Sequence, residues 1–316
     1  MAHKKILLSG VKPTGRPHIG NYFGAMKQFV ELQASHESYV FIADFHAMTT
    51  TQDAPALRRS TVDIALDYLA IGLDPAQTTL FKQSDTPEVT ELAWYFNCIT
   101  TVPYLERAHA YKDATAKGKE VSVGTFDYPL LMAADILIHD ADVVPVGQDQ
   151  KQHVEYARDT AEKFNRVYGS IFKLPEPLIR AEVETVPGTD GRKMSKSYGN
   201  TIPLFATDEE IVKCVMSIVT DSSGGVPQNV RAIHELIKSS TELDALYELK
   251  KGRYKDLKEA LIKDLTAFIT PLRNKRAEFA KKPEIVASLL AEGGKKARAH
   301  ADSKMKRVRD AVGISA

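Results

Sequence analysis

The chain has 316 residues, 43% hydrophobic and 26% charged, the composition of an ordinary soluble globular protein with room for two domains. A formal net charge of +1 excludes a bulk field for polyanions, so any nucleic-acid surface must be a local basic patch. Cys98 and Cys214 lie far apart without CxxC spacing, which argues against a disulfide framework or zinc ribbon and fits a reducing cytoplasm. The apolar run behind Lys4 and Lys5 is too short for a signal segment, and no stretch approaches the roughly 20 apolar residues that cross a bilayer.

Ile6-Leu7-Leu8 reads as a buried opening strand. It runs into SGVKPTGRPHIGNYFG (Ser9 to Gly24) and then a helical pattern with Tyr22, Ala25, Met26 and Phe29 on one side. Four glycines let backbone or ligand come close, Pro13 and Pro17 stiffen the path, and the helix that follows directs its N–H groups and dipole at the turn. An anion bound there is within reach of His18 and Asn21; an ordinary loop before a helix is the plainer alternative. The glycine spacing matches neither the dinucleotide fingerprint nor the P-loop. Tyr39 to Ala43 is a second strand, ending at Asp44-Phe45-His46, and strand–helix–strand predicts a parallel βαβ unit. Asp53 and Pro55 open a helix with Leu57, Thr61, Ile64, Ala65, Tyr68 and Leu69 on one face, and Thr79-Leu80-Phe81 is the next strand. Val89, Leu92, Ala93, Phe96 and Ile99 mark another helix, beside which Trp94 and Tyr95 read as core or interface.

Ala108 to Gly124, with Lys112, Lys117 and Lys119, reads as a mobile basic loop or a solvated surface loop. Tyr128 to Ile138 reads as a buried helix. Asp135 is the exception inside it, because a buried carboxylate needs a partner: a structural Arg or Lys, or a ligand. Asp142 to Gly147 is a strand, and Gln150 begins a helix with Val154, Ala157, Ala161, Phe164 and Tyr168 on one face. Gln148, Asp149 and Gln150 therefore stand at the carboxyl end of a strand, where open α/β sheets bind ligands, or serve as a helix cap. Gly188 to Ser197 reads as a flexible arm whose lysines and serines can wrap a phosphate chain, or as a disordered basic loop. The composition changes to all-helical near Phe205, which divides the chain into domains 1–204 and 205–316. The last helix carries Ala297, Ala301, Met305, Val308 and Val312 on one side. Around that stripe lie Lys295, Lys296, Arg298, Lys304, Lys306, Arg307 and Arg309, a face that suits RNA, the catalytic domain or plain solvent.

Together these stretches resemble the class I aminoacyl-tRNA synthetases. PTGRPHIGN (Pro13 to Asn21) resembles their HIGH-type motif, and KMSKS (Lys193 to Ser197) is identical to their second motif, in the right order on the right elements. LMAADIL (Leu131 to Leu137) and VPVGQDQKQHVEYARDTAEKFN (Val144 to Asn165) are similar to the bacterial tryptophanyl members, as are VTDS (residues 219–222) and the closing GKKARAHADSKMKRVRDAVG.

The resemblance implies an α/β fold: a Rossmann-type, doubly wound parallel sheet as catalytic domain, then an all-α domain that reads the anticodon. It also implies a cytoplasmic homodimer and no membrane association. L-tryptophan would be activated by ATP, with Mg2+ carried by the nucleotide and no protein metal site, then transferred to tRNA(Trp). By motif, Gly20 would lie against adenine, His18 and Asn21 near the triphosphate, and Lys193 and Lys196 at the α-phosphorus transition state. Lys12, Pro13, Thr14, Met194, Ser195 and Ser197 would complete the ATP contacts, with Gly147, Gln148 and Asp149, while Gln150 would meet the amino-acid end. Asp135 would read the indole N–H, in a pocket shaped by Leu8, Gly10, His46, Met132, Val144 and Val146. An ionised carboxylate suits a donor-only ring nitrogen. Lys12, Leu8 and Gln148 depart from the Gln, Phe and Glu common among relatives, which suggests a divergent second-type member. The alternatives are a tyrosyl relative, whose phenol is also a donor, and a synthetase-like regulatory protein.

Overall fold

The computed structural model describes residues 4–116, 118, 120–147, 151–179, 186–220 and 225–315. The expectations for Lys117, Lys119, Gln148, Asp149, Gln150 and Ser222 fall outside these residues.

Short apolar runs form a five-stranded parallel sheet, because strands covered on both faces need no polar alternation. β1 (Ile6–Val11), β2 (Glu37–Ile42), β3 (Thr78–Lys82), β4 (Val143–Pro145) and β5 (Glu176–Leu178) lie in the order β3-β2-β1-β4-β5. Leu8 pairs with Tyr39 and Leu7 with Val143. The chain winds one way through β3, then crosses back to β4, so the switch point lies between the carboxyl ends of β1 and β4, where such sheets hold ligands.

Side chains alternate between two cores. Val40 and Ile42 join Phe29, Tyr68 and Leu69 on one face, with Leu261, Leu265 and Ile269 of the Tyr254–Ala280 helix. Leu8, Tyr39 and Phe41 join Leu92, Ala134, Val144 and Phe164 on the other. Arg276 fastens the first layer through Asp63 and Asp67.

Four elements differ from expectation. The helix after the Ser9–Gly24 turn begins as Ile19–Asn21 and passes through a π-helical stretch, Tyr22–Met26, before Lys27–Leu32. The buried helix starts earlier than Tyr128, at Val123, because the Ser122 hydroxyl accepts the Thr125 N–H and caps it, and Pro129 rides inside. The polar stretch before it contains a helix, His109–Ala116.

The fourth difference concerns the Pro283–Val312 helix, which does not stay with the helical half. Its stripe of Ala297, Ala301, Met305 and Val308 is buried in the core of the sheet's second face. A Cβ on Gly293 would collide with the Leu80 carbonyl of β3, and one on Gly294 would come within 2.8 Å of Asp85, so this pair of glycines lets helix meet strand. Several basic residues of this helix are spent internally. Lys304 is buried, donates to the Ile171 carbonyl and pairs with Asp140, while Arg298 binds Glu88 and Arg309 binds Glu91. Lys295, Lys296, Lys306 and Arg307 remain exposed. Among the described residues, no helix is long and apolar enough to cross a membrane.

Candidate active site

The turn after β1 is held by its own side chains. His18 Nδ1 accepts the Asn21 N–H at 3.3 Å and Asn21 Oδ1 accepts the His18 N–H at 3.0 Å, a reciprocal cap on the following helix. A Cβ on Gly20 would sit 2.8 Å from the His18 ring, so only glycine fits there. The segment after KMSKS is stitched to this turn: Ile202 O accepts from Ile19 N–H and Pro17 O from Leu204 N–H, both at 3.0 Å. The two stretches, distant in sequence, thereby share one backbone scaffold.

KMSKS itself is well anchored, unlike the flexible arm that its composition suggests. Met194 is buried among apolar residues, so its side chain is a plug and only its backbone faces the site. The buried Asn200 amide accepts the Ser195 N–H at 2.8 Å and donates to Asp190 and to the Lys193 carbonyl. Ser195 Oγ accepts the Ser197 N–H and caps a short 3-10 turn, Lys196–Tyr198, which leaves Ser197 exposed. The Lys196 ammonium reaches across to donate to the Thr14 carbonyl at 2.9 Å. Thr14 and Asn21 are exposed beside it, and Pro13 is buried beneath.

The electrostatics favour an anion. Burial, and then the Lys196 charge, push His18 down to about 4, so it is a neutral imidazole at pH 7. Burial also lowers Lys196 and Lys12, and Lys12 donates to Thr49 Oγ1 at 3.2 Å. The partners found for both ammoniums are neutral oxygens, which leaves charge for a phosphate or carboxylate to offset.

Across the switch point lies an apolar cluster with a buried carboxylate beside it. Leu8, Val144, Val146 and the part-buried Met132 belong to one cluster, and a Cβ on Gly10 would strike the Phe41 carbonyl at 2.6 Å. Asp135 is 2% exposed on its helix and, among the described residues, has no Arg or Lys partner. His46, expected only to shape the pocket, is instead a hydrogen-bond partner, with Nε2 3.0 Å from Asp135 Oδ2. Gln83 Nε2 donates to both carboxylate oxygens at 2.9 Å, while its Oε1 accepts the His46 N–H at 3.2 Å. Burial pushes the Asp135 carboxyl up, against the pull of these donors. The Tyr128 ring stands edge-on to His46 and its hydroxyl bonds His153. Gly147 follows β4 at the rim, half-buried.

Gln83, Tyr128, Thr49 and Asn200 escaped the sequence reading. For Gln83 a signal exists: it is the first residue beyond the carboxyl end of β3, on the ligand side of the sheet.

The family model for class I tRNA synthetases (W and Y) matches residues 2–282, and the chain belongs to that family. Its relatives favour one amino acid. The chain is 49% identical to the tryptophan–tRNA ligase of Fusobacterium nucleatum over 97% of each chain, and 44% identical to that of Rhodopirellula baltica over 98% of this chain and 99% of the other. It is also similar to the solved structure of Campylobacter jejuni tryptophanyl-tRNA synthetase complexed with ADP and tryptophan. That match has a TM-score of 0.91 and 42% identity and covers 98% of this chain and 99% of the other.

Proposed function

We propose that the Ser9–Gly24 turn and the KMSKS stretch form a clamp for ATP, and that the pocket around Asp135 holds tryptophan. The chain is a tryptophan–tRNA ligase: it joins L-tryptophan to ATP as an adenylate, releases pyrophosphate, and passes the aminoacyl group to the 3′ end of tRNA(Trp). The tryptophan carboxylate attacks the α-phosphorus, so the protein's task is to align the two and offset growing negative charge. Lys193 and Lys196 carry charge to the phosphates, His18 and Asn21 line the triphosphate, and Gly20 leaves room for the base. Gly147, Gln148 and Asp149 complete the nucleotide side, and Gln150 meets the amino-acid end. Mg2+ enters on the nucleotide, since its octahedral shell is filled mostly by phosphate oxygens and water. Lys12 adds positive charge where the carboxylate and α-phosphate meet.

Asp135 accepts the indole N–H. Phenylalanine would leave this carboxylate unpaired, a defect that can discriminate by roughly 10⁴. Tyrosine is excluded by the shape of Leu8, Met132, Val144 and Val146. We assign residues 1–204 to catalysis and the helices beyond 205 to the anticodon, with the Pro283–Val312 helix shared with the sheet. A homodimer is supported by Trp94, Val102 and Val123, exposed by 66%, 60% and 81%. The cytoplasm is the proposed location.

The observation that carries this reading is the Lys196 ammonium on the Thr14 carbonyl, which joins two motifs 182 residues apart. Pyrophosphate exchange with each amino acid tests it: tryptophan-dependent exchange is expected, and exchange with tyrosine but not tryptophan would overturn it.

A further inference from the structure

Gln83 belongs to none of the motifs, yet it is 1% exposed and makes three hydrogen bonds in the amino-acid pocket. Its amide cannot turn over. With Oε1 taking the His46 N–H, Nε2 must face Asp135; reversed, an amide oxygen would oppose the carboxylate and an NH2 group would oppose an N–H. Its position is fixed from behind as well, since its carbonyl accepts from the Thr86 N–H and hydroxyl. The capping carboxylate of Asp85, two residues on, is wedged against Gly294 of the last helix.

The lone pairs of Asp135 can then be counted. Oδ2 accepts from His46 and Gln83, whereas among the described residues Oδ1 accepts from Gln83 alone. A carboxylate oxygen has about two acceptor positions, so the open one is on Oδ1. We propose that Gln83 is a positioning and specificity-determining residue, whose amide holds Asp135 as an acceptor with Oδ1 turned to a ring N–H of the substrate. This rests on the assignment of Asp135 to the indole.

The physical logic concerns which partner carries the proton. A carboxyl group this deeply buried favours its neutral form, and a protonated Asp135 would present a donor to the indole donor. A cation would oppose this but would also compete for the open lone pair. An amide donor opposes it without taking the open position. Among the described residues, the other titratable groups around Asp135 are His46 at its Oδ2, Asp44 at the end of β2, whose charge raises it, and the Tyr128–His153 pair beyond His46. Asp44 is occupied by the Ser84 hydroxyl and N–H and the Phe45 N–H.

The test compares tryptophan with 3-benzothienylalanine, which has the same shape with sulfur in place of N–H, in pyrophosphate exchange from pH 5.5 to 8. The ratio of kcat/KM values cancels effects common to both substrates. Gln83→Met should lower tryptophan use by about 10- to 100-fold, mainly through KM, and leave the analogue within about threefold. In that variant the ratio should rise with pH as Asp135 ionises. Gln83→Glu should do the reverse: the introduced carboxyl, protonated at low pH, replaces the amide donor there, and the ratio falls as pH rises and that proton is lost. Equal losses for both substrates, or a flat ratio in both variants, would overturn the proposal. Asp135→Asn separates the underlying assignment. If it leaves the ratio unchanged, both ideas fall; if it collapses the ratio while the Gln83 variants do not, only the role of Gln83 falls.

Discussion

Asp135 sits where several physical demands conflict. As the proposed indole acceptor it must be buried to exclude water, ionised to accept, and incompletely paired to receive a ligand; the His46 ring and the Gln83 amide, with no Arg or Lys partner among the described residues, leave an acceptor position open. Asp135→Asn keeps the shape but turns one oxygen into an NH2 donor. We expect kcat/KM for tryptophan to fall by about 10²-fold or more, while the KM for ATP changes little. Equal losses for both ligands in steady-state exchange would contradict the assignment. This carboxylate is conspicuous in the sequence because a lone acid in an apolar helix is costly. Gln83 is not, because an uncharged residue after a strand looks like any turn and its partner is 52 positions away.

At the scale of elements, the decisive unit is the loop from Gly188 to Asn200. KMSKS is legible as a motif because its residues are consecutive, but its rigidity comes from Asn200, a polar residue with no pattern around it. Asn200→Ala removes an acceptor for the Ser195 N–H and donors to Asp190 and Lys193. The loop should loosen, so that single-turnover activation slows by about 10-fold or more while tryptophan binding holds; an unchanged rate would show that Lys193 and Lys196 need no such support. The last helix offers the opposite lesson. Its stripe of small and apolar residues announces a buried face, but amphipathic spacing cannot name the surface that buries it, and the chain's change to all-helical composition suggests a separate body. Gly293→Ala should destabilise the fold by about 1–3 kcal/mol, visible as a lower denaturant midpoint, because the Leu80 carbonyl is main chain of a sheet strand and cannot step aside. An unchanged midpoint would mean that helix and strand are less closely packed.

The whole molecule responds to acid through its histidines. Unfolded histidines protonate near pH 6.5. Burial pushes His139 down to about 3 and His18 to about 4, and it also lowers His234 and His300. Between about pH 4 and 6.5 the unfolded chain therefore binds the extra protons, and stability falls as pH falls. Asp67, pushed up to about 6, together with Asp127 and Asp135, also raised by burial, opposes this from the acid side, but these three are fewer than the four histidines. His139 stacks on Tyr39 with ring centres 5.1 Å apart, and its buried Nδ1 has no hydrogen-bond partner among the described residues. His139→Phe should thus keep the packing and lose less Tm than the parent between pH 7 and 5; a parallel decline would contradict this. Quaternary structure is expected to depend on the exposed apolar residues Trp94, Val102 and Val123. Trp94→Glu should shift sedimentation from dimer to monomer, and a monomeric parent would refute the proposed interface. The meeting of β3 with the last helix also bears on synthesis. Glu88, just beyond β3, and its partner Arg298 lie 210 residues apart, so a ribosome adding roughly 5–20 residues per second makes the cover roughly ten to forty seconds after the strand. For that interval the core around Tyr39, Phe81 and Leu92 lacks the part of its cover that the last helix supplies, so the sheet must wait for the end of the chain before its second face is closed.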